Sequence, residues 1–152
     1  MRVYLPVAPA ELSAQGLAPR TAYAVTPALV RALPDEDTEG HENSAYLAAS
    51  DAAVDLAGPG GRRVVVAADV AGAGVEAREA ADAHPGEVTL TGPVAWRDVA
   101  SLHADEPAAA EDVRAAAAGD TDALERAAER DPLWYHPSER AHLAADLAGG
   151  DA

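Results

Sequence analysis

A chain of 152 residues is long enough for one domain with one hydrophobic core, so residues 1–152 are expected to form a single domain. All 11 basic residues are arginines and 26 residues are acidic, which gives a formal net charge of -15. This balance argues against nucleic acid as a partner, because phosphates are bound by basic patches, and the absence of cysteine excludes disulfides and cysteine nucleophiles.

Signals in the first 61 residues predict strands that alternate with helices. Residues 2–6 and 20–25 alternate apolar side chains with a period of two and predict the first two strands. Thr26 followed by Pro27 is a typical helix start, because the hydroxyl caps the first turn and proline needs no N–H partner there. Residues 41–57 predict the longest helix, which ends at the glycine-rich sequence GPGG.

The strongest strand signal is RRVVVAADV, over residues 62–70. Its run of valines, bounded by charged residues, predicts a strand that is covered on both faces and therefore lies inside the sheet. Residues 75–83 have a weak helical pattern, residues 87–91 alternate as a strand, and residues 94–105 predict one or two further extended segments.

The last third of the chain is helical in pattern, with helices predicted over residues 106–118, 120–130 and 137–148. Asp120 is expected to cap the second of these helices. The whole pattern predicts an α+β fold in which helices cover a mixed sheet of four or five strands and three helices are C-terminal. Residues 149–152 are expected to be disordered.

Residues 72–77 match the dinucleotide-binding fingerprint G-x-G-x-x-A after a strong strand. The surrounding residues do not fit this site, because Asp69 would place a carboxylate close to the phosphates. Residues 91–92, Thr and Gly, stand where an acid should bind the ribose. The sequence therefore predicts no cofactor.

Four polar residues are candidates for catalytic chemistry: Asp69, His103, Asp105 and Glu139. Asp69 follows the predicted central strand, and the spacing of His103 and Asp105 places both side chains on one face of an extended segment. The three carboxylates also have structural interpretations, with Asp69 in a turn, Asp105 as a helix cap and Glu139 capping back to His136. No third ligand is spaced for a metal, so no metal site is predicted.

Trp134 and Tyr135 lie side by side in the predicted joint between the last two helices, in a chain that is only 4% aromatic. Trp134 could anchor the last helix in the core, since a lean core needs bulky residues. The alternative is a partner-binding patch centred on Trp134 and Tyr135 and bordered by Arg140 and Glu139. Trp96 could contribute to the same surface.

Five short segments carry a resemblance to a known family: MRVYLP, AYAVTPAL, RRVVVAADV, WRDVASLHAD and LWYHPSE. In this order, from end to end, they resemble an uncharacterised actinobacterial family of domains of unknown function. The resemblance implies no activity, cofactor or site residue. It favours a GC-rich genome over a salt-adapted cytoplasm as the origin of the Ala-rich, arginine-only composition.

The N-terminal apolar stretch is short and interrupted by proline, and no run approaches the roughly 20 apolar residues of a membrane span. A cytoplasmic protein that does not bind membranes is therefore expected. The function predicted is that of a non-enzymatic interaction or regulatory domain, whose partner is another protein or a second copy of the chain. The alternative is a small enzyme or ligand-binding protein with a pocket formed by Asp69, His103 and Asp105.

Overall fold

The computed structural model describes residues 1–78 and 80–149. Seven strands form one open sheet in the order β4-β5-β2-β1-β3-β6-β7. They are β1 (Arg2–Val7), β2 (Thr21–Ala24), β3 (Val64–Asp69), β4 (Val75–Ala77), β5 (Glu87–Leu90), β6 (Val99–Ala104) and β7 (Leu133–Tyr135). The predicted α+β class is confirmed. The predicted strand number and the mixed character are wrong, because there are seven strands and each pairing among the described residues is antiparallel.

Five α-helices accompany the sheet: α1 (Pro27–Ala32), α2 (Thr38–Ala52), α3 (Ala110–Ala117), α4 (Thr121–Ala128) and α5 (Arg140–Gly149). The three expected C-terminal helices are present. The predicted caps form as well, since the Thr26 hydroxyl accepts from the Leu29 N–H at 3.0 Å and Asp120 accepts from Ala123 at 3.1 Å. None of the helices in the described ranges combines the length and hydropathy of a membrane span.

The two faces of the sheet carry different cores. Helix α5 and the 3₁₀ turn Pro9–Ser13 pack on one face, against alternate residues of β1, β3 and β6 such as Leu5, Val66 and Leu102. Helix α2 covers the other face, where Ala45 and Ala49 pack with the opposite set of strand residues, among them Tyr4, Tyr23, Val65 and Ala67. Strand residues alternate between faces, so one strand supplies both cores.

Strand β3 lies between β1 and β6, as its uninterrupted valines predict. Val64 and Val66 face α5 while Val65 faces α2, and all three are buried. A strand that is buried on both faces needs an apolar residue at every position, which accounts for the run.

Two segments differ from their predicted structure. Within the predicted segment 75–83, the described residues 75–78 and 80–83 contain no helix, and β4 occupies the start of the segment and pairs with β5. The expected interhelical joint is strand β7, which pairs with β6. Both strands have three residues, too few for periodicity to identify. The disordered tail expected over residues 149–152 falls, beyond Gly149, outside the described residues.

Candidate functional site

The candidate site lies where the last two strands of the sheet meet α2. His103 on β6 stands opposite Val65 of β3 on one side and opposite Trp134 of β7 on the other. Residues paired directly across strands point to the same face, and Val65 belongs to the face that α2 covers. His103 and Trp134 therefore both lie beneath or beside α2.

A pocket of about 390 Å³ opens between α2 and this edge of the sheet, and we call it the aromatic pocket. Its aromatic wall consists of Tyr4, Tyr46, His103 and Trp134. Its remaining lining consists of Glu39, Glu42, Asn43, Asp131 and Pro132, with no arginine among the described residues that line it. The pocket thus combines π-surfaces with negative charge.

The four rings of the aromatic pocket contact one another in series. The ring centroids of Tyr4 and Tyr46 are 6.2 Å apart in an edge-on arrangement. Those of Tyr46 and His103 are 5.3 Å apart, and those of His103 and Trp134 are 4.2 Å apart. An aromatic pair at the Tyr4–Tyr46 spacing contributes about 0.5–1.5 kcal/mol beyond the area it buries, and the series of contacts holds the four rings against one another.

Trp134 is the most exposed large hydrophobic side chain that the structure describes, at 71% of its accessible surface. Its neighbour Leu133 is also exposed, and both belong to β7, the last strand of the sheet. The core role considered for Trp134 does not fit this exposure. A tryptophan so placed offers a large apolar surface at low conformational cost.

His103 is buried at the site and, in the part of the chain that the structure describes, has one ring nitrogen without a hydrogen-bond partner. It is only 3% exposed, and this burial, with Arg2 as a second cause, lowers the pKa of the imidazole to about 4. The ring is therefore neutral at neutral pH. Its Nε2 lies 2.8 Å from Ser101 Oγ, whereas its Nδ1 is buried without a partner among the described residues.

Tyr46 contributes a protonated phenol to the pocket. Burial raises the pKa of its hydroxyl to about 12, and the nearby Arg63 opposes this shift only in part. A phenol that stays protonated can donate or accept a hydrogen bond, but it adds no charge to the pocket. The negative charge of the pocket therefore comes from its three carboxylates.

Asp105 forms a buried ion pair with Arg63. The carboxylate accepts from Arg63 Nε at 2.8 Å, from Nη2 at 2.9 Å and from the Arg63 backbone N–H at 2.7 Å. Both side chains are buried, and Nη2 also donates to the carbonyl of Ala127 on α4. Asp105 does not cap the following 3₁₀ turn, whose N-cap residue is Glu106.

The structure does not bring the four catalytic candidates together. Asp69 pairs with Arg2 at the opposite end of β3, four residues beyond Val65. At about 3.3 Å per residue, that places it roughly 13 Å from the position of His103. Glu139 accepts from the backbone N–H of His136 at 3.3 Å, which is the capping interaction that the sequence predicts.

The residues predicted to form one partner-binding patch do not lie together in the structure. Tyr135 stands opposite Leu102 and packs on the α5 face, away from Trp134. The guanidinium of Arg140 lies 4.3 Å above the ring of Trp96, and its Nη1 donates to the carbonyl of Leu12 at 2.6 Å. Of the predicted partner-binding residues, only Trp134 lies at the aromatic pocket.

Sequence reasoning missed most of the pocket. Tyr46 falls within the helix predicted over residues 41–57, and Glu39 precedes that helix without a predicted role. Tyr4 and Asp131 carry no motif at all. Their proximity depends on the packing of α2 over β1, β2 and β3, which brings Tyr46 against His103 of β6, and no local pattern encodes that placement.

The structure of the described residues bears on two further site types, a dinucleotide site and a metal site. Residues 72–74 form a 3₁₀ turn that continues into β4, so the fingerprint is not followed by the helix that dinucleotide binding requires. Within the same ranges, no group of three His, Asp or Glu side chains could hold a metal.

Comparison with known proteins identifies the family and nothing beyond it. The model of a family of unknown function, DUF6912, matches residues 1–144. No curated protein and no solved structure matches the chain. Because the match spans nearly the whole chain, the protein belongs to the family of unknown function DUF6912.

Proposed function

We propose that the protein is a non-enzymatic cytoplasmic interaction domain that binds a basic segment of a partner protein at the aromatic pocket. The observation that carries this proposal is the exposure of Trp134 on an edge strand, directly beside a pocket that carries three carboxylates. Exposed tryptophans are enriched among the residues that dominate binding energy.

The charge of the pocket selects the chemistry of the partner. Glu39, Glu42 and Asp131 line it, and the whole chain carries a formal charge of -15. A second copy would bring the same charge to the same surface and be repelled. A basic segment is attracted from a distance and finds apolar contact at Trp134.

The pairing of the candidate catalytic carboxylates with arginines supports binding over catalysis. Asp105 is occupied by Arg63, and Asp69 is occupied by Arg2. A general base must lie within hydrogen-bond reach of the proton it abstracts, and these carboxylates are already used within the fold. The pocket presents surface and charge, which are the requirements of recognition.

The proposal is tested by calorimetric titration with a ten-residue peptide of alternating arginine and serine. Trp134→Ala is expected to weaken binding at least about tenfold, as truncation of a central anchor does. A peptide of alternating glutamate and serine is expected not to bind.

Two triple variants distinguish the contribution of the pocket's carboxylates to binding from that of the net charge of the chain. One neutralises the pocket through Glu39→Gln, Glu42→Gln and Asp131→Asn. The other removes the same charge from exposed residues outside the pocket through Glu76→Gln, Asp82→Asn and Glu111→Gln.

The pocket variant is expected to lose most of the affinity, while the control stays within about twofold of the parent. Equal losses of affinity in both variants would mean that the net charge of the chain attracts the peptide non-specifically. Dimerisation of the parent that Trp134→Ala abolishes, measured by sedimentation, would assign the surface to a second copy and contradict the proposal.

A further inference from the structure

We infer that the aromatic pocket recognises a single arginine side chain of the partner, whose guanidinium stacks on Trp134 and donates hydrogen bonds to the pocket's carboxylates and to His103 Nδ1. This inference rests on the proposed function and specifies the group that is bound. It depends on the shape of the wall, the number of acceptors and the unpartnered nitrogen of His103.

The wall of the pocket is suited to a planar cation. Tyr4, Tyr46 and Trp134 line the pocket, and the face of such a ring attracts positive charge within about 6 Å. Tryptophan is the best of the three ring types for this contact, and Trp134 is also the exposed one. A guanidinium adds stacking to the electrostatic attraction, which an ammonium cannot do.

The number of acceptors favours arginine over lysine. Glu39, Glu42 and Asp131 each offer two carboxylate oxygens, and the phenols of Tyr4 and Tyr46 offer one oxygen each. A guanidinium has five N–H donors in a fixed plane and can engage several of these acceptors together. The lysine ammonium has three donors at one point and leaves more acceptors unpaired.

His103 lines the pocket and, within residues 1–78 and 80–149, has one ring nitrogen without a hydrogen-bond partner. Its Nδ1 is buried without a partner among the described residues, a state that costs about 1–3 kcal/mol unless a donor arrives. Burial keeps the ring uncharged, so it does not repel a cation. A neutral imidazole has one acceptor nitrogen, and the inference requires the tautomer in which Nε2 donates to Ser101 Oγ, 2.8 Å away, and Nδ1 accepts.

The molecule already contains one arginine held in this manner. The guanidinium of Arg140 lies over the ring of Trp96, and its Nη1 donates to the backbone carbonyls of Leu12 and Ala14. The second tryptophan of the chain, Trp134, has an open ring and unoccupied acceptors beside it. The partner's arginine would complete there the arrangement that Arg140 completes at Trp96.

The test uses three small probes with the same capped backbone: N-acetyl-arginine amide, N-acetyl-lysine amide and N-acetyl-citrulline amide. Citrulline has nearly the shape of arginine without its charge. Binding is followed by NMR through the indole N–H signals, with Trp96 as the internal reference and Trp134→Ala to assign them.

The arginine probe is expected to shift the Trp134 signal and leave the Trp96 signal in place. We expect the lysine probe to bind at least about threefold more weakly and the citrulline probe at least about tenfold more weakly. Equal binding of lysine, equal binding of citrulline, or a shift confined to Trp96 would overturn the inference.

Two variants locate the contacts. His103→Phe keeps an aromatic ring and removes Nδ1, and it is expected to reduce the preference for arginine over lysine. Glu42→Gln, on exposed helical surface, is expected to weaken both cationic probes without disturbing the fold. An unchanged arginine preference in His103→Phe, or an unchanged affinity for the arginine probe in Glu42→Gln, would contradict the inference.

The peptide and the small probes separate the two proposals. If the arginine–serine peptide binds at Trp134 and a matched lysine–serine peptide binds equally well, the interaction domain stands and the arginine assignment fails. If neither the peptides nor the arginine probe moves the Trp134 signal, both proposals fail.

Discussion

Asp105 and His103 are two residues apart at the end of β6, yet their surroundings differ in kind. Asp105 is fully engaged by Arg63, through two side-chain bonds and a backbone N–H. His103 is equally buried and keeps one nitrogen without a partner. A buried polar group whose hydrogen bonds are all made within the fold stabilises the structure, whereas one with an unpaired atom at a pocket is available for a ligand.

The two residues also differ in what lies above them. The guanidinium that holds Asp105 donates to Ala127, so α4 seals the ion pair from solvent. The ring of His103 is covered by Trp134, which is itself exposed, and the aromatic pocket opens beside it. The sealed ion pair of Asp105 and the unpaired nitrogen of His103 beside the pocket therefore lie only two residues apart.

The largest expected effect is that of Asp105→Ala. It leaves Arg63 charged and buried without its partner, and one nitrogen of that guanidinium, Nη1, already lacks one. Removing one member of a buried ion pair typically costs about 3–5 kcal/mol of unfolding free energy. Urea denaturation measures the loss.

Asp69→Asn is the matched control, since it breaks the exposed pair with Arg2. Exposed pairs contribute about 0–1 kcal/mol, so this variant should unfold close to the parent. A similar loss of unfolding free energy in both variants would mean that the buried pair contributes no more to stability than the exposed pair.

The next effect is the pH dependence caused by His103. Because its folded pKa of about 4 lies below the ordinary value of 6.5, the unfolded chain binds more protons between these values. Stability is therefore complete above pH 6.5 and falls as the pH decreases towards 4. At about 1.4 kcal/mol per pKa unit, the fall amounts to roughly 3 kcal/mol.

Denaturation at a series of pH values, compared between the parent and His103→Gln, isolates this contribution from that of the carboxylates. His142→Gln, at an exposed position of α5, is the control. A slope between pH 6.5 and 4 that His103→Gln leaves unchanged would mean that His103 is not held uncharged by burial.

The smallest effects compare the two tryptophans. Trp96→Ala removes a hydrogen bond of 2.8 Å to the carbonyl of Ala14 and the ring beneath Arg140, and should cost about 1–2 kcal/mol. Trp134→Ala removes a mostly exposed ring and should cost less than about 1 kcal/mol. Thermal unfolding measures both, and a larger loss for Trp134 would assign it a structural role.

Local chemistry made part of this structure predictable. The cap at Thr26, the cap at Asp120 and the interior position of β3 each depend on a few neighbouring residues and are visible in the sequence. Trp134 was identifiable because bulky residues are scarce. The capping contact of Glu139 with His136 follows from their spacing alone.

The remainder depends on contacts between residues far apart in the chain. The pairing of Arg63 with Asp105 spans 42 residues, and nothing near Asp105 distinguishes an ion-pair carboxylate from a helix cap. The three-residue strands β4 and β7 exist because β5 and β6 offer them edges. Tyr46 enters the pocket only because α2 crosses the sheet at that point.

The open edge at β7 has a consequence for the behaviour of the protein in concentrated solution. An exposed strand carrying Leu133 and Trp134 is a template for aggregation, limited by its length of three residues and by repulsion between chains of charge -15. That repulsion vanishes near the isoelectric point of about 4.4. Precipitation on acidification should therefore begin at β7, and a bound basic partner should delay it by covering the same edge.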